Sequence, residues 1–266
     1  MHGRDLVLVT GCGRPAVVRF HRPGLPSDGQ EIVAEHLAVW PSLEADEQQQ
    51  LLHDTGALLS TKRWEAARGF ELDDTVRVVI AAQAALLVLG LSLDHYRGVS
   101  GIIVHPTTLH TSGERPGPSS ATVSADRLAV IGLAQGGRGP VVLAWDQVLS
   151  GAHGSERGSN VVLHEFAHKL DMLDGAVDGT PLLASDLRAD WVAVCAQVYD
   201  DLVAGVPRPP MRWYGATNPG EFFAVATEVF FEQPRELAAQ EPALYDVLRR
   251  FYRQDPAARH APTPVV

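Results

Sequence analysis

The sequence predicts an α+β fold in which a small sheet is followed by a mostly helical second half. Short extended segments are confined to the region before residue 146, whereas apolar residues at helical spacing dominate the last third of the chain. With 266 residues, 45% of them hydrophobic, the chain is long enough to bury a full core. A sheet region followed by a helical region is typical of the α+β class.

The first hundred residues combine two extended segments, a linker and two helical segments. Residues 6–9 and 16–20 alternate enough to be short strands, and the proline- and glycine-containing segment 21–30 indicates a linker. Helical periodicity extends from about Leu43 to Leu59. It returns from Asp73, a favourable N-cap, to about Leu91.

Three further strands are predicted in the middle of the chain. The first is Gly101–His105, and Leu128–Ala134 and Pro140–Trp145 follow as two strands joined by the glycine-rich segment 135–139. Between them, Thr111–Ala121 is rich in serine, glycine and proline, which predicts an exposed loop.

The last third is predicted to be helical. The expected helices lie around residues 161–173, about Ser185–Ala204, about Pro219–Phe231, and in part of Pro234–Tyr252. The paired phenylalanines of the third of these helices, Phe222, Phe223, Phe230 and Phe231, are two turns apart and are expected to pack in the core.

Composition argues for a soluble cytoplasmic protein. A net charge of −10 and a pI near 5.5 argue against nucleic acid or an anionic membrane as the main partner. Cys12 and Cys195 are expected to be free thiols. The N-terminal apolar run is too short for a signal peptide, and the longest apolar stretch, Val78–Leu91, is too short to span a membrane. This stretch is expected to be a buried core helix.

The most informative motif is His-Glu-Phe-Ala-His at residues 164–168. On a helix, His164 and His168 stack on one face about 6 Å apart and can chelate one Zn²⁺. Glu165 can then take a proton from a water on the open metal position as that water attacks a carbonyl. Two helical histidines beside a surface glutamate are the alternative, so the motif needs a third ligand.

The spacing of residues after the motif does not identify the third metal ligand. Metzincins use a histidine six residues after the second, but Asp171 and Asp174 occupy the positions that their motif gives to glycine and histidine. Gluzincins use a glutamate on a later helix. Here Asn218 and Pro219 indicate a helix start, with Glu221 in its first turn and Glu228 two turns later on nearly the same face. The alternative for Glu221 is a capping-box residue, because it lies three residues after the N-cap.

Two blocks of this sequence resemble the Mlc titration factor A family of zinc-dependent peptidases. They are residues 160–175, NVVLHEFAHKLDMLDG, and residues 214–231, YGATNPGEFFAVATEVFF. The resemblance extends to residues 138–145, to the hydrophobic helix near 74–91 and to the ending at 251–256, and it covers roughly residues 36–256. Gly220 departs from the family, which usually carries alanine at this position.

The resemblance implies a gluzincin-like site. It makes His164, His168 and Glu221 the zinc ligands, Glu165 the general base and Tyr214 a stabiliser of the transition state. It also implies an aminopeptidase-like activity on short peptides or N-terminal residues. The alternative is a regulatory protein that sequesters a transcriptional repressor.

The resemblance also sets the expected domain organisation. We expect an N-terminal extension of unknown role at residues 1–35, a peptidase domain at 36–256 and a flexible tail at 257–266. The strand Val141–Trp145 is either an edge strand that pairs with an extended substrate or an ordinary core strand.

Other polar residues have competing interpretations. Asp171 and Asp174 either orient a ligand imidazole or cap the helix end, and we favour the cap for Asp174. The scattered histidines are expected to be surface or hydrogen-bonded residues rather than ligands: His95, His105, His110 and His153.

Overall fold

The computed structural model describes residues 24–67, 69–107, 139–154 and 158–259. The predicted strands at 6–9, 16–20 and 128–134 and the predicted loop at 111–121 lie outside these ranges, as do Cys12 and His110. Within the described ranges the helices are α1 Gly29–His36, α2 Ala45–Thr61, α3 Asp74–Leu87, α4 Trp145–Ala152, α5 Val161–Asp171, α6 Arg188–Val203, α7 Pro219–Glu232, α8 Pro234–Gln240 and α9 Pro242–Tyr252. The strands are β1 Arg63–Ala66, β2 Val99–His105 and β3 Gly139–Ala144.

The described part of the chain is a mixed helical fold with one small parallel sheet, as the α+β prediction requires. The strand order is β1-β2-β3, and both neighbouring pairs are parallel. Residues Trp64 and Val141 flank Ile102 across the sheet. The two helices predicted in the first hundred residues are present as α2 and α3, and α3 lies between β1 and β2 along the chain. A parallel connection needs such a crossover, which α3 provides between β1 and β2.

Two helices differ from the sequence prediction. The predicted linker at 21–30 runs into α1, whose Ile32 and Val33 are buried and which packs on α3. The predicted boundary between residues 35 and 36 therefore falls in the last turn of a packed helix. The predicted strand Pro140–Trp145 ends at Ala144, and the unpredicted helix α4 begins at Trp145 and lies between the strand and the motif helix.

The long apolar segment forms the central helix α3. Asp73 caps it by accepting a hydrogen bond from the backbone N–H of Val76 at 2.8 Å. Every residue from Val78 to Leu87 is buried. This confirms the prediction of a core helix, and no helix of the described residues is long and apolar enough to cross a membrane.

Aromatic side chains fix the C-terminal helices against α7. Trp191 of α6, Phe223 of α7 and Phe251 of α9 form a triangle whose ring centres lie 5.4 to 6.0 Å apart. Phe222, Phe223 and Phe230 are buried, which confirms their predicted core role. The segment Pro234–Tyr252 is two helices rather than one, because Pro242 starts a new helix at its first position.

The segment that follows α9 packs against the C-terminal end of α3. Gln254, just after α9, donates a hydrogen bond to the carbonyl oxygen of Leu86 at 2.8 Å. Gly90 lies beneath this segment, and a Cβ there would be only 2.7 Å from the carbonyl oxygen of Arg253. Because no side chain fits at this close approach, glycine is required at position 90.

The N-cap of α5 is the most connected polar residue of the described core. The Asn160 side-chain oxygen accepts from the backbone N–H groups of Val162 and Leu163, both at 3.1 Å. Its amide nitrogen donates to Gln83 and to Glu232, both at 2.9 Å. One side chain thus caps α5 and joins it to α3 and α7.

We expect Asn160→Ala to lower the free energy of unfolding by about 2–3 kcal/mol, because it removes a cap and leaves buried polar groups unpaired. Asp73→Ala is the matched control, since it removes a cap with one hydrogen bond and should cost about 1 kcal/mol. Urea denaturation followed by circular dichroism measures both. Equal losses in the two variants would show that the wider Asn160 network adds no stability.

Candidate metal centre

Helix α5 is held in the interior with its polar motif residues enclosed. Apolar side chains at helical spacing surround the motif, and within Val161–Asp171 only Lys169 is not fully buried. His164 and His168 project from one face, with ring centres 4.8 Å apart. The helical placement predicted for this motif is therefore confirmed.

Helix α7 brings a carboxylate to the same point. Asn218 is its N-cap and accepts a hydrogen bond from the backbone N–H of Glu221 at 2.9 Å. The predicted start of this helix at Pro219 is confirmed. The Glu221 side chain does not turn back to the N-cap, as a capping box would require, but faces the histidines of α5.

Three donor groups converge between α5 and α7. The Nε2 atoms of His164 and His168 are 3.2 Å apart. A carboxylate oxygen of Glu221 lies 3.1 Å from His164 Nε2, and its other oxygen lies 3.5 Å from His168 Nε2. Among the described residues, His164, His168 and Glu221 form the group whose ligand atoms lie close enough together to hold a metal ion. Two imidazoles and a carboxylate are a donor set that suits Zn²⁺ and leaves a fourth position open.

Glu228 occupies a different place from Glu221. Its carboxylate accepts from His164 Nδ1 at 2.8 Å and from the backbone N–H of Asn160 at 2.6 Å, and it pairs with Arg212. It therefore lies behind His164, on the side away from the other ligand atoms. Such a partner fixes the ring orientation and directs Nε2 toward the metal position.

The sequence reasoning weighed Glu228 only as a possible ligand and did not identify Arg212 or Asn160. The seven-residue spacing from Glu221 correctly indicated the same helix face. The position of Asn160 immediately before an apolar helical run is an N-cap signal that could have been used. Arg212 has no comparable local signal, because its contact with Glu228 depends on the path of the loop before α7.

Charge is unevenly distributed over the centre. Burial opposes protonation of His164, but the carboxylates of Glu228 and Glu221 outweigh it and raise its pKa to about 10. Burial raises the pKa of Glu221, while hydrogen bonds with the two histidines more than reverse this and hold it well below its usual value. The carboxylates thus favour a cation at this position, and a metal ion that binds here displaces a proton from His164.

Glu165 and Tyr214 flank the centre. Glu165 is buried, and desolvation raises the pKa of its carboxyl group, although the neighbouring histidines act in the opposite direction. Tyr214 lies in the 3-10 turn Trp213–Ala216, and its ring centre is 6.1 Å from that of His164. Tyr214 is buried, whereas Trp213 beside it is 54% exposed.

The two aspartates after the motif have separate surroundings. Asp171 is fully buried and accepts from the backbone N–H of Gly179 at 3.1 Å. Burial raises the pKa of Asp171 to about 6. Asp174 is exposed and accepts from the backbone N–H of Ala176, so it stabilises the turn after the helix, as favoured from the sequence.

The structure explains the glycine at position 220. A Cβ there would lie 2.8 Å from a methyl carbon of Val177 and 3.3 Å from the Asn218 side-chain oxygen. Val177 comes from the loop after α5, so the missing side chain at 220 lets this loop approach the start of α7. Glycine at position 220 thus leaves room for Val177 beside the first turn of α7.

Three of the four scattered histidines fall within the described ranges, and they lie away from the three converging ligands. His95 contacts the carbonyl oxygen of Ser92 at 2.8 Å. His153 lies 3.3 Å from His36 between their ring nitrogens. His105 ends β2. The described cysteine, Cys195, is a free thiol, as predicted.

Comparison with known proteins gives a consistent match. Residues 15–253 match the family described as glucose-regulated metallo-peptidase M90. An uncharacterised protein of Synechocystis is 35% identical over 242 residues, which cover 89% of this chain and 87% of that protein. Mlc titration factor A of Salmonella agona is 32% identical over 82% of this chain and 83% of its own length. Mlc titration factor A of Yersinia pestis is also 32% identical, over 85% and 88%.

We expect Glu221→Ala to lose nearly all bound metal, because it removes one of three ligands. Glu228→Gln should keep the metal with affinity reduced about 10- to 100-fold, because only the orientation of His164 is affected. Competition with a chromogenic chelator measures both affinities. Glu236→Gln, an exposed glutamate of α8, is the control. If Glu221→Ala retained metal and Glu228→Gln did not, the assignment of the third ligand would be reversed.

Proposed function

Because the chain belongs to the glucose-regulated metallo-peptidase M90 family, we propose that it is a zinc metallopeptidase with a gluzincin-like site. In this proposal His164, His168 and Glu221 hold the metal, and Glu165 is the general base. The observation that carries it is the convergence of these three ligand groups on one point, with the carboxylate of Glu165 on the same helix as both histidines. A structural zinc site would instead use four protein ligands.

A bound zinc ion would polarise the scissile carbonyl group and lower the pKa of water at the open position. Glu165 accepts the proton of the attacking water and then transfers it to the leaving amine. Its burial supports this role, since a desolvated carboxylate is a stronger base than one in water. Glu228 and Arg212 take no proton in this scheme and hold His164 in place.

Tyr214 is proposed to stabilise the oxygen of the substrate carbonyl as it gains negative charge. Its ring lies beside His164, and its place in the turn before α7 ties it to the same segment as Glu221. A phenolic O–H that donates to this oxygen would act as an oxyanion-hole donor.

The proposed substrates are short peptides or the N-terminal residues of longer ones. The ligand and base side chains are each no more than 8% exposed, so a thin extended segment reaches them more easily than a folded protein surface. Strand β3 lies at one end of the described sheet, where a peptide could add as a further strand. Its Val141 and Leu143 are buried, so the same strand also contributes to the core.

A regulatory role is the second candidate. Several relatives are named Mlc titration factor A, and this name supports a partner protein, proposed here to be a transcriptional repressor. The two functions are compatible if binding and hydrolysis use different surfaces. Glu165→Gln separates them, because it removes the base and leaves the outer surface unchanged.

We expect Glu165→Gln to retain metal and to lose peptidase activity by about 10²–10⁴-fold, because an amide cannot accept the proton. Hydrolysis of a panel of short fluorogenic peptides, with metal content measured on the same samples, tests this. Glu236→Gln again serves as the control for a surface charge change. Unchanged turnover in metal-loaded Glu165→Gln would eliminate the proposed mechanism.

For Tyr214→Phe we expect bound metal and melting temperature near those of the wild type, with turnover lowered about tenfold to a thousandfold. This substitution removes the hydroxyl group and keeps the ring that lies beside His164. A reduction in kcat without a matching rise in KM would locate the loss in the transition state. Wild-type turnover in Tyr214→Phe would show that Tyr214 contributes only packing.

A further inference from the structure

A second cavity, partly open to solvent, lies at the N-terminal end of α5. It is a cavity of about 340 Å³ between α3, α4, α5 and the start of α8. This volume is in the range of sites that hold small molecules. It is bounded on the outside by the segment that follows α9.

One wall of the cavity is polar and buried. Asn160 and Gln83 line it, and both are less than 5% exposed. Glu232 lines it as well, and one of its oxygens accepts from the amide nitrogen of Asn160. Among the described residues Glu232 forms no ion pair, so its carboxyl group has capacity for a cationic or N–H donor from a ligand. Burial raises the pKa of Glu232 to about 7.

The opposite charge comes from the segment that follows α9. Arg259 lines the cavity, and its side chain is only 9% exposed. Its Nη2 donates to Glu47 at 3.0 Å and to Gln254 at 2.9 Å. Its Nη1 is buried and has no hydrogen-bond partner among the described residues. A buried guanidinium nitrogen without an acceptor is costly, and a carboxylate is the acceptor that a guanidinium prefers.

The remaining wall is apolar. Its residues are Leu37, Leu86, Leu163 and Phe231. A ligand that matches all three walls needs a carboxylate, an ammonium group and a small apolar body.

We propose that this cavity binds a free amino acid with an aliphatic side chain, such as leucine. The carboxylate contacts the guanidinium of Arg259, the ammonium group contacts Glu232, and the side chain packs among the apolar residues. This site is separate from the metal centre and does not depend on the proposed peptidase function. It lies against Asn160, whose backbone N–H reaches Glu228 and through it His164. Occupancy would therefore stabilise the N-terminal end of the metal helix.

The experiment measures binding of leucine to the protein by isothermal titration calorimetry. The rise in melting temperature with leucine concentration is a second measure of the same binding. We expect saturable binding with a dissociation constant below about 10 mM. Two analogues test each end of the ligand on the unaltered protein. Isoamylamine lacks the carboxylate and 4-methylpentanoate lacks the amine, and each should bind about tenfold or more weakly than leucine, since each loses a charge-assisted hydrogen bond.

Variants locate the binding. Glu232→Gln keeps an oxygen that accepts from Asn160 and removes the negative charge. Arg259→Lys keeps the positive charge and removes the planar guanidinium group. Each variant should weaken leucine binding about tenfold or more. The matched control, Glu236→Gln, should bind as the wild type does. Absence of binding to the wild type would overturn the proposal. Binding that persists unchanged in both cavity variants would also overturn it, because leucine would then occupy another place, such as the metal centre.

Discussion

The carboxylate of Glu228 is buried where α5 and α7 meet, and the arrangement of the metal centre depends on it. It accepts from the backbone N–H of Asn160 at the start of α5 and from the ring of His164 one turn later, and it pairs with Arg212 from the preceding loop. One group thus sets the depth of the helix, the rotation of the imidazole and the path of the loop that carries Tyr214. A charge at this depth is stable only with this many partners.

The same constraint explains why a helix rich in polar ligands lies in the core. His164, His168 and Glu221 are almost fully enclosed, and burial of such groups is unfavourable unless each has a partner of opposite charge or a metal ion. The carboxylates supply an excess of negative charge around the histidines, which makes the point between them attractive to a cation. A metal that binds only the folded protein would also stabilise it by mass action. The geometry of these ligand groups and the stability of the fold are therefore linked at this point.

Local sequence signals predicted the parts of the fold that local physics determines. The N-caps Asp73 and Asn218, the buried run of α3 and the helical spacing of the His-Glu-Phe-Ala-His motif were all found from the sequence. The parallel pairing of the strands was not, because pairing depends on which segments meet across the crossover helix. Helix α4 was missed because it has only eight residues and begins directly after β3, with no turn residue between them. Spacing alone left Glu221 and Glu228 equivalent, and only the position of each carboxylate relative to the two nitrogen atoms of His164 separates them.

The contact of the C-terminal segment with α3 has a consequence for how the protein forms. Gln254 hydrogen-bonds the end of a helix that lies 168 residues earlier in the chain, and Gly90 admits the backbone of the same segment. During synthesis this segment emerges long after α3, so the end of α3 stays uncovered until synthesis has passed residue 254. Both ligand-bearing helices have emerged by then, but the core beneath them is still open. Closure of the core around α3 therefore waits for residue 254, and the apolar surface of this helix is open to aggregation until then.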